Sequence, residues 1–237
     1  IVLAKGLADS PLAAEVAPGC ATVGLCLPAS PLQMLLCERF GRAVVPTSGN
    51  PSDEPISYDP ADAIERRGRI ADLLLVHNRR ILQAADDSVV RVTAGKPRMI
   101  RRARGYAPAP VVMPGRTSSP GLAFGGQMKG SLALVRDGDL VLSPHLGDQD
   151  TALARKLHAS TAAALQSLLR LTPEWVACDS HPDYASSVAA RGLAVRGVTR
   201  TAVTEHMKRL AQSDGLARVI ELLAILDTLA NSDELKT

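Results

Sequence analysis

An α/β protein built in two units is the architecture this sequence predicts, and three observations carry it. Short apolar runs of strand length alternate with helix-type patterns along most of the chain. A dense cluster of Pro108, Pro110, Pro114, Gly115, Ser118, Ser119, Pro120 and Gly121 divides an earlier block from a later one. The later block reads strand, hairpin, helix, strand. These observations place a first unit over residues 1–112, a linker at about 109–119, a second unit over 120–191 and a tail over 192–237.

In the first unit, Gln33 to Phe40 is a short helix candidate and Ala43 to Pro46 a buried strand. Asp59-Pro60 combines a helix cap with proline at the first helical position and leads into Ala61 to Arg67. Leu73 to Val76 reads as a second buried strand. Ser88 to Thr93 and Arg98 to Arg102 flank Ala94-Gly95-Lys96-Pro97, a hairpin with a glycine turn. In the second unit, Leu122 to Phe124 is a strand running into Gly125-Gly126. Ser131 to Val135 and Leu140 to Ser143 flank Asp137-Gly138, the strongest hairpin signal in the chain. Asp150 to Leu171 carries Leu153, Leu157, Leu165, Leu168 and Leu169 near helical spacing, and Pro173 stops it. Trp175 to Cys178 is the next strand. From Gly192 the character changes: Arg196, Arg200, Lys208 and Arg209 precede an apolar helical pattern over Leu216 to Leu229.

Composition bounds the function. Of 237 residues, 46% are hydrophobic, so a core can be built, but only 3% are aromatic, so it must come from Leu, Val, Ile and Ala. The net charge of +3 with 22% charged residues excludes acidic, disordered and strongly nucleic-acid-like classes. Cys20, Cys26, Cys37 and Cys178 form no Cys-x-x-Cys pair, so zinc is not expected, and lone thiols suit a reducing cytoplasm. No apolar run approaches the about 20 residues of a membrane helix, so no membrane role is expected. The chain starts at Ile1 with residues that read as domain interior, so we expect the natural amino terminus to lie further upstream.

Chemistry concentrates in a few stretches. In Thr47-Ser48-Gly49-Asn50-Pro51-Ser52-Asp53-Glu54-Pro55-Ile56, a strand is expected to run into a tight turn. Backbone N–H groups and the Thr47 and Ser48 hydroxyls would converge there, as an anion-binding turn does. An ordinary Ser-Gly-Asn turn fits the same letters. Lys96, Arg98, Arg101, Arg102 and Arg104 form the densest basic run, matched either to phosphate oxygens or to solvent. Asp86-Asp87-Ser88 precedes the strand carrying Arg91. Strand alternation would send Asp86 and Asp87 to opposite faces, so at most one would serve a given site. Gly125-Gly126-Gln127-Met128-Lys129-Gly130 lets backbone approach phosphate beside a lysine, without the Gly-Lys-Ser or Gly-Lys-Thr of a Walker loop. Ser143-Pro144-His145-Leu146-Gly147-Asp148 and Asp179-Ser180-His181-Pro182-Asp183-Tyr184 lie just past strand ends, where open α/β sheets bind ligands. Their imidazole and carboxylate pairs suit acid–base chemistry, a divalent metal, or plain loop hydrogen bonds. His158 and His206 receive no role.

In motif order the chain resembles the HypF carbamoyltransferases of nickel–iron hydrogenase maturation. Val16-Ala17-Pro18-Gly19, Leu27-Pro28 with Pro31-Leu32, Thr47 to Ile56, His77-Asn78-Arg79, Asp86 to Arg91 and Arg101 to Pro108 resemble the later part of the family's YrdC-like domain. Gly125 to Gly130, Ser143 to Asp148 and Asp179 to Ser186 resemble the start of its carbamoyl-transfer domain, an actin-like or ribonuclease-H-like α/β fold. The resemblance covers about residues 1–191. It implies ATP with Mg²⁺ and carbamoyl phosphate as substrates, a carbamoyl adenylate intermediate, and transfer to the carboxy-terminal cysteine of HypE, where the group becomes a cyanide ligand. It implies a nucleotide and phosphate site drawn from Thr47, Ser48, Asn50, Arg91, Arg101, Arg102, Arg104 and Lys129. His145, Asp148, His181 and Asp183 are candidates for a second-domain site. No residue is assigned as catalytic or as a metal ligand.

The family's acylphosphatase-like domain, its zinc fingers and the first part of its YrdC-like domain have no counterpart in this sequence. The family's His-rich motif would fall past residue 191, where the sequence diverges. The expectation is a fragment of the enzyme, inactive by itself, with a tail of chimeric or frameshifted origin. Two other readings stand beside it. One is a YrdC-like module for RNA binding or tRNA threonylcarbamoylation, with Arg98 to Arg104 as its footprint. The other is a non-catalytic remnant.

Overall fold

In the computed structural model, the structure describes residues 1–7, 9–10, 12–51, 54–68, 70–112 and 119–193. The apolar helical pattern of the tail, Asp53 and most of the 109–119 linker lie outside them. Two sheets organise the chain. Among the described residues the first has four strands and the second five.

The first sheet comprises β1 (Val2–Lys5), β2 (Thr22–Leu25), β3 (Val89–Thr93) and β4 (Lys96–Arg101). β1 pairs antiparallel with β2 and parallel with β3, so its two ends of sequence meet in one sheet. The β3–β4 hairpin forms as expected, but its turn is only Ala94-Gly95, both at positive φ (51° and 72°). That is the mirror-image turn whose twist matches the strands, so Lys96 and Pro97 join the strand. Helices α1 (Pro31–Phe40) and α2 (Pro60–Arg67) also match the sequence reading. Ser30 caps α1, and Asp59 caps α2 by accepting from the amides of Ala61 (2.9 Å) and Asp62 (3.1 Å).

Two expected strands do not form: Ala43–Pro46 and Leu73–Val76 are irregular. Their apolar side chains stay open to solvent, Val45 at 71% and Leu73 at 91% exposure. An apolar run becomes a strand only when a neighbour supplies the ladder and another layer covers its face. Among the described residues neither element finds either.

The second sheet is built from β5 (Pro110–Val112), β6 (Gly121–Phe124), β7 (Leu132–Arg136), β8 (Asp139–Leu142) and β9 (Trp175–Ala177). β6 and β9 are parallel, and β6–β7–β8 form an antiparallel meander. β5 corrects the linker reading. Pro110 to Val112 pairs with β8 at the sheet edge, a place that tolerates proline at a strand start. α3 (Ala152–Leu169) is capped by the Thr151 hydroxyl at 3.1 Å from the amide of Ala154. It ends at Arg170 in the left-handed region, before Pro173 is reached. α4 (Ala185–Gly192) follows β9 and was not evident from the sequence.

The core sits almost wholly in the second unit. Leu122, Phe124, Leu132, Leu134, Leu165 and Val176 pack into one buried cluster beneath α3. In the first unit α1 buries no residue. Among the described residues no helix is long and apolar enough to cross a membrane.

Candidate functional site

The C-terminal ends of β6, β8 and β9 lie on one side of the second sheet, because β8 is returned to the direction of β6 by the meander. The loops leaving them, Gly125–Gly130, Ser143–Asp148 and Asp179–Tyr184, therefore share that edge. Backbone bonds lock the first two together. Gly130 donates to Gly147 at 2.8 Å and Leu146 to Gly130 at 2.9 Å. The amide of Lys129 donates to Asp148 Oδ1 at 2.6 Å, which holds Lys129 at φ +50°. The first unit meets this edge directly: His145 donates its amide to the Arg102 carbonyl at 3.0 Å. Gln83 Nε2 reaches Thr161 Oγ1 of α3 at 2.8 Å.

Where the two units meet lies a cavity of about 620 Å³. Thr47, Ser48 and Asn50 line it from the first unit, with Glu54 beside them. Arg101, Asp86 and Asp87 line it from the β3–β4 hairpin and the residues before it. Lys129, His145 and Asp148 line it from the second unit. Asn50 donates through Nδ2 to the Pro51 carbonyl at 3.1 Å, while its Oδ1 is buried with no partner. Asn50 therefore lines the cavity with one buried acceptor still unpaired.

The arginines divide into distinct roles. Arg101 donates to Asp86 Oδ2 at 2.8 Å and still lines the cavity. Arg102 is turned onto backbone, with Nη2 donating to the carbonyls of Tyr106 (2.9 Å) and Ala109 (2.8 Å). Arg104 pairs with Asp87 at 2.6 Å on the surface. Arg91 is exposed on β3, opposite Arg98 in register. Of these, only Arg101 lines the cavity with Ser48 and Asn50.

Asp86 and Asp87 both face the cavity, contrary to the expectation of opposite faces. Strand alternation does not apply to them, because β3 begins only at Val89. At Gly49 φ is not positive and a Cβ would meet nothing within 4 Å, so the turn does not require glycine.

His145 is half-buried in the cavity wall. Burial, and then the nearby Arg101 charge, lower its pKa from the usual 6.5. His181 stands apart from the cavity. It stacks on Tyr184 with centroids 4.3 Å apart, and its Nδ1 accepts from the amide of Asp183 at 3.2 Å. Asp183 is exposed beside it. Among the described residues no group of three His, Cys, Asp or Glu side chains is arranged to hold a metal.

Two features escaped the sequence reading. Arg67, the last residue of α2, is buried and donates to the Gly49 carbonyl and to Ser57 Oγ. Arg66 pairs with Glu54 and with Asp62. A helix-terminal Arg-Arg reads as a solvated end. Only the fold of the 47–57 stretch back onto α2 reveals the contacts.

Comparison with known proteins finds two family models, one along each part of the chain. Residues 1–103 match the Sua5/YciO/YrdC family model, described as Telomere recombination, and residues 116–212 match the HypF Kae1-like domain. Carbamoyltransferase HypF of Synechocystis sp. is 40% identical over 184 residues, covering 78% of this chain and 24% of that protein. Carbamoyltransferase HypF of Rhizobium leguminosarum bv. viciae is 37% identical over 221 residues, covering 90% of this chain and 29% of that protein. The crystal structure of full-length HypF in the phosphate- and nucleotide-bound form superposes with a TM-score of 0.77 at 34% identity. It covers 91% of this chain and 34% of that one. The structure of T. kodakarensis HypF gives 0.73 at 30% identity, covering 81% of this chain and 25% of that one. The chain thus spans about a quarter of the length of the curated relatives it matches. By fold and by sequence, the chain belongs to the HypF family and corresponds to the stretch where a YrdC-like unit is followed by the Kae1-like domain.

Proposed function

We propose that this chain carries parts of the carbamoyl-activating and carbamoyl-transferring sites of a HypF carbamoyltransferase. The observation that carries this reading is the single cavity onto which the Thr47–Asn50 turn, Arg101 and Lys129 all open. In this reading the substrates are carbamoyl phosphate and ATP. Water first cleaves carbamoyl phosphate to carbamate and inorganic phosphate; a carbamate oxygen then bonds to the α-phosphorus of ATP, the α–β phosphoanhydride breaks, and pyrophosphate leaves. The resulting carbamoyl adenylate is attacked at carbon by the thiolate of the carboxy-terminal cysteine of HypE. A thiocarbamate forms and AMP departs. The hydrogenase cyanide ligand derives from that group.

The chain's own groups supply binding and electrostatics for these steps. The Thr47 and Ser48 hydroxyls and the Asn50 amide meet phosphate oxygens. Arg101 offers a planar pair of donors, and Lys129 adds a mobile point charge from the second unit. Magnesium, arriving on the nucleotide, would neutralise phosphate charge. It takes one or two carboxylates along with phosphate and water oxygens, and Asp86 and Asp148 present such carboxylates. We divide the chain into a YrdC-like unit over 1–112, a Kae1-like unit over 120–191 and a tail over 192–237. Exposed thiols at Cys20 and Cys26 and the half-buried thiol of Cys37 suit a reducing, cytoplasmic setting.

By resemblance, lysine and arginine phosphate contacts from the earlier part of the YrdC-like domain are absent from this sequence. The chain is therefore expected to bind ATP without completing the adenylate. Calorimetric titration with ATP and Mg²⁺, paired with a pyrophosphate-release assay in carbamoyl phosphate, tests both statements. Saturable binding without pyrophosphate is the expected result. No binding at about 1 mM nucleotide would remove the site assignment. Pyrophosphate release would remove the statement of inactivity.

A second reading, RNA binding, rests on Arg91 and Arg98, which stand opposite one another on an exposed hairpin with Lys96 nearby. Like charges placed directly opposite destabilise a hairpin, and a polyanion would relieve them. Arg101, Arg102 and Arg104 are already engaged, which narrows the footprint expected from Arg98 to Arg104. Filter binding of double-stranded RNA over a salt series decides it. Absence of retention at low salt removes the reading.

A further inference from the structure

Among the described residues Arg67 is the one lysine or arginine that is buried, at 8% exposure. It does not line the cavity. Its Nη2 donates to the Gly49 carbonyl and to Ser57 Oγ (2.9 Å), while the Ser57 amide donates to the same Gly49 carbonyl at 3.1 Å. One guanidinium thus ties the exit of the Thr47–Asn50 turn to Ser57.

The consequence for the turn follows from peptide planarity. Holding the Gly49 oxygen fixes the whole Gly49–Asn50 amide plane. That plane sets the Asn50 N–H, which donates to the Ser48 carbonyl at 3.0 Å, and so sets where the Asn50 side chain starts. The support beneath is firm. α2 is capped at its start by Asp59, and the neighbouring Arg66 pairs with both Asp62 and Glu54. The Ser57 hydroxyl is shared further with Asp62, whose carboxyl it holds below the usual 3.8, ahead of smaller contributions from Arg66 and Arg67.

Packing alone does not account for a buried guanidinium. An apolar side chain of similar volume commonly serves a core as well or better. What Arg67 adds is a charged Nη2, carried on a planar guanidinium, that donates to two acceptors at once. We propose that Arg67 is a positioning residue for the anion-binding turn: it clasps Gly49 to Ser57 and so presents Ser48 and Asn50 to a nucleotide phosphate. This rests on the nucleotide-site reading above and goes beyond it by assigning the turn's geometry to a side chain outside the cavity.

Calorimetric titration of the full chain with ATP and Mg²⁺ tests the clasp. Arg67→Ala is expected to weaken ATP binding by about tenfold, Arg67→Lys by nearly as much, and Ser57→Ala by about threefold. Leu134→Ala, a core truncation in the other unit, is the control. It lowers the unfolding midpoint but should leave ATP affinity within about twofold of wild type, which separates positioning from general destabilisation. If Arg67→Ala does not fold, Arg67→Lys and Ser57→Ala decide the matter. Wild-type affinity in the folded Arg67 variants overturns the clasp and leaves the site reading standing. Failure of the wild-type chain to bind ATP overturns the site reading and the clasp with it.

Discussion

Arg101 donates through Nη1 to Asp86 Oδ2 at 2.8 Å, and both side chains line the cavity that Ser48 and Asn50 enter. The carboxylate orients the guanidinium and also offsets part of its charge. An arriving phosphate therefore meets a donor already aimed, with the remaining N–H groups free to bond.

Arg101→Ala should weaken ATP or phosphate binding by about tenfold, since it removes a charge-assisted hydrogen bond. Arg101→Lys should recover only part of the loss, because an ammonium cannot serve Asp86 and a phosphate with one planar fork. Calorimetry on both variants checks this. Equal affinity in all three proteins would remove Arg101 from the site.

Arg104 offers the contrasting case. Its pair with Asp87 is on the surface, with side chains 48% and 42% exposed. Such a pair contributes at most about 1 kcal/mol and weakens with salt. Arg104→Ala should therefore leave ATP affinity within about twofold and shift the denaturation midpoint only slightly. A tenfold loss of affinity would show that Arg104 swings into the cavity when ligand binds.

The elements legible in the sequence were those specified locally. Asp59-Pro60, Asp137-Gly138 and Ala94-Gly95 each carry their own cap or turn chemistry, and each appears where expected. The Ala43–Pro46 and Leu73–Val76 runs needed a distant partner, and apolar letters alone cannot state whether one is present. The site was legible in the same measure. The Ser48 and Asn50 turn, Lys129, His145 and Asp148 follow from motif order. Which arginine turns inward does not: Arg101, Arg102 and Arg104 are alike in sequence, and their fates depend on Asp86, on two carbonyls and on Asp87. Arg67 was invisible because its partners are a backbone carbonyl and a hydroxyl from another segment.

His158 predicts how stability depends on pH. It is 2% exposed on α3, tilted against Phe124 with centroids 5.4 Å apart, and its Nε2 has no partner. Burial lowers its pKa from 6.5, so the unfolded chain binds a proton more readily than the folded one. Stability is then fully present above about pH 6.5 and falls as pH drops from there toward the folded-state value. His145, also lowered, adds to the same trend. Urea denaturation at pH 7.5 and 5.5 should show lower stability at the acid end. His158→Gln, which keeps polarity without titrating, should flatten the difference. An unchanged difference would place its source in His145 or elsewhere.

Two glycines that look equivalent in sequence should respond in opposite ways. Gly125 directly follows β6 where the phosphate-type loop begins, and a Cβ there would lie 2.4 Å from the Ser131 carbonyl oxygen and 2.9 Å from its nitrogen. Those are backbone atoms of the residue just before β7, the strand that pairs with β6, so they cannot turn aside as a side chain would. Gly125→Ala must push the two strands apart or displace the loop that carries Lys129. At Gly49 the same Cβ meets nothing within 4 Å, and φ lies outside the left-handed region. Gly49→Ala should therefore be neutral or slightly stabilising, because alanine restricts the unfolded chain more than glycine does. Gly125→Ala should lower the unfolding midpoint by several degrees, an overpacking cost of about 1–3 kcal/mol, and weaken any ATP binding that depends on Lys129. Thermal denaturation and ATP titration of the two variants side by side measure this. A destabilised Gly49→Ala would mean that the turn demands a conformation that only glycine supplies. A wild-type-like Gly125→Ala would mean that β6 and β7 separate at this point at little cost.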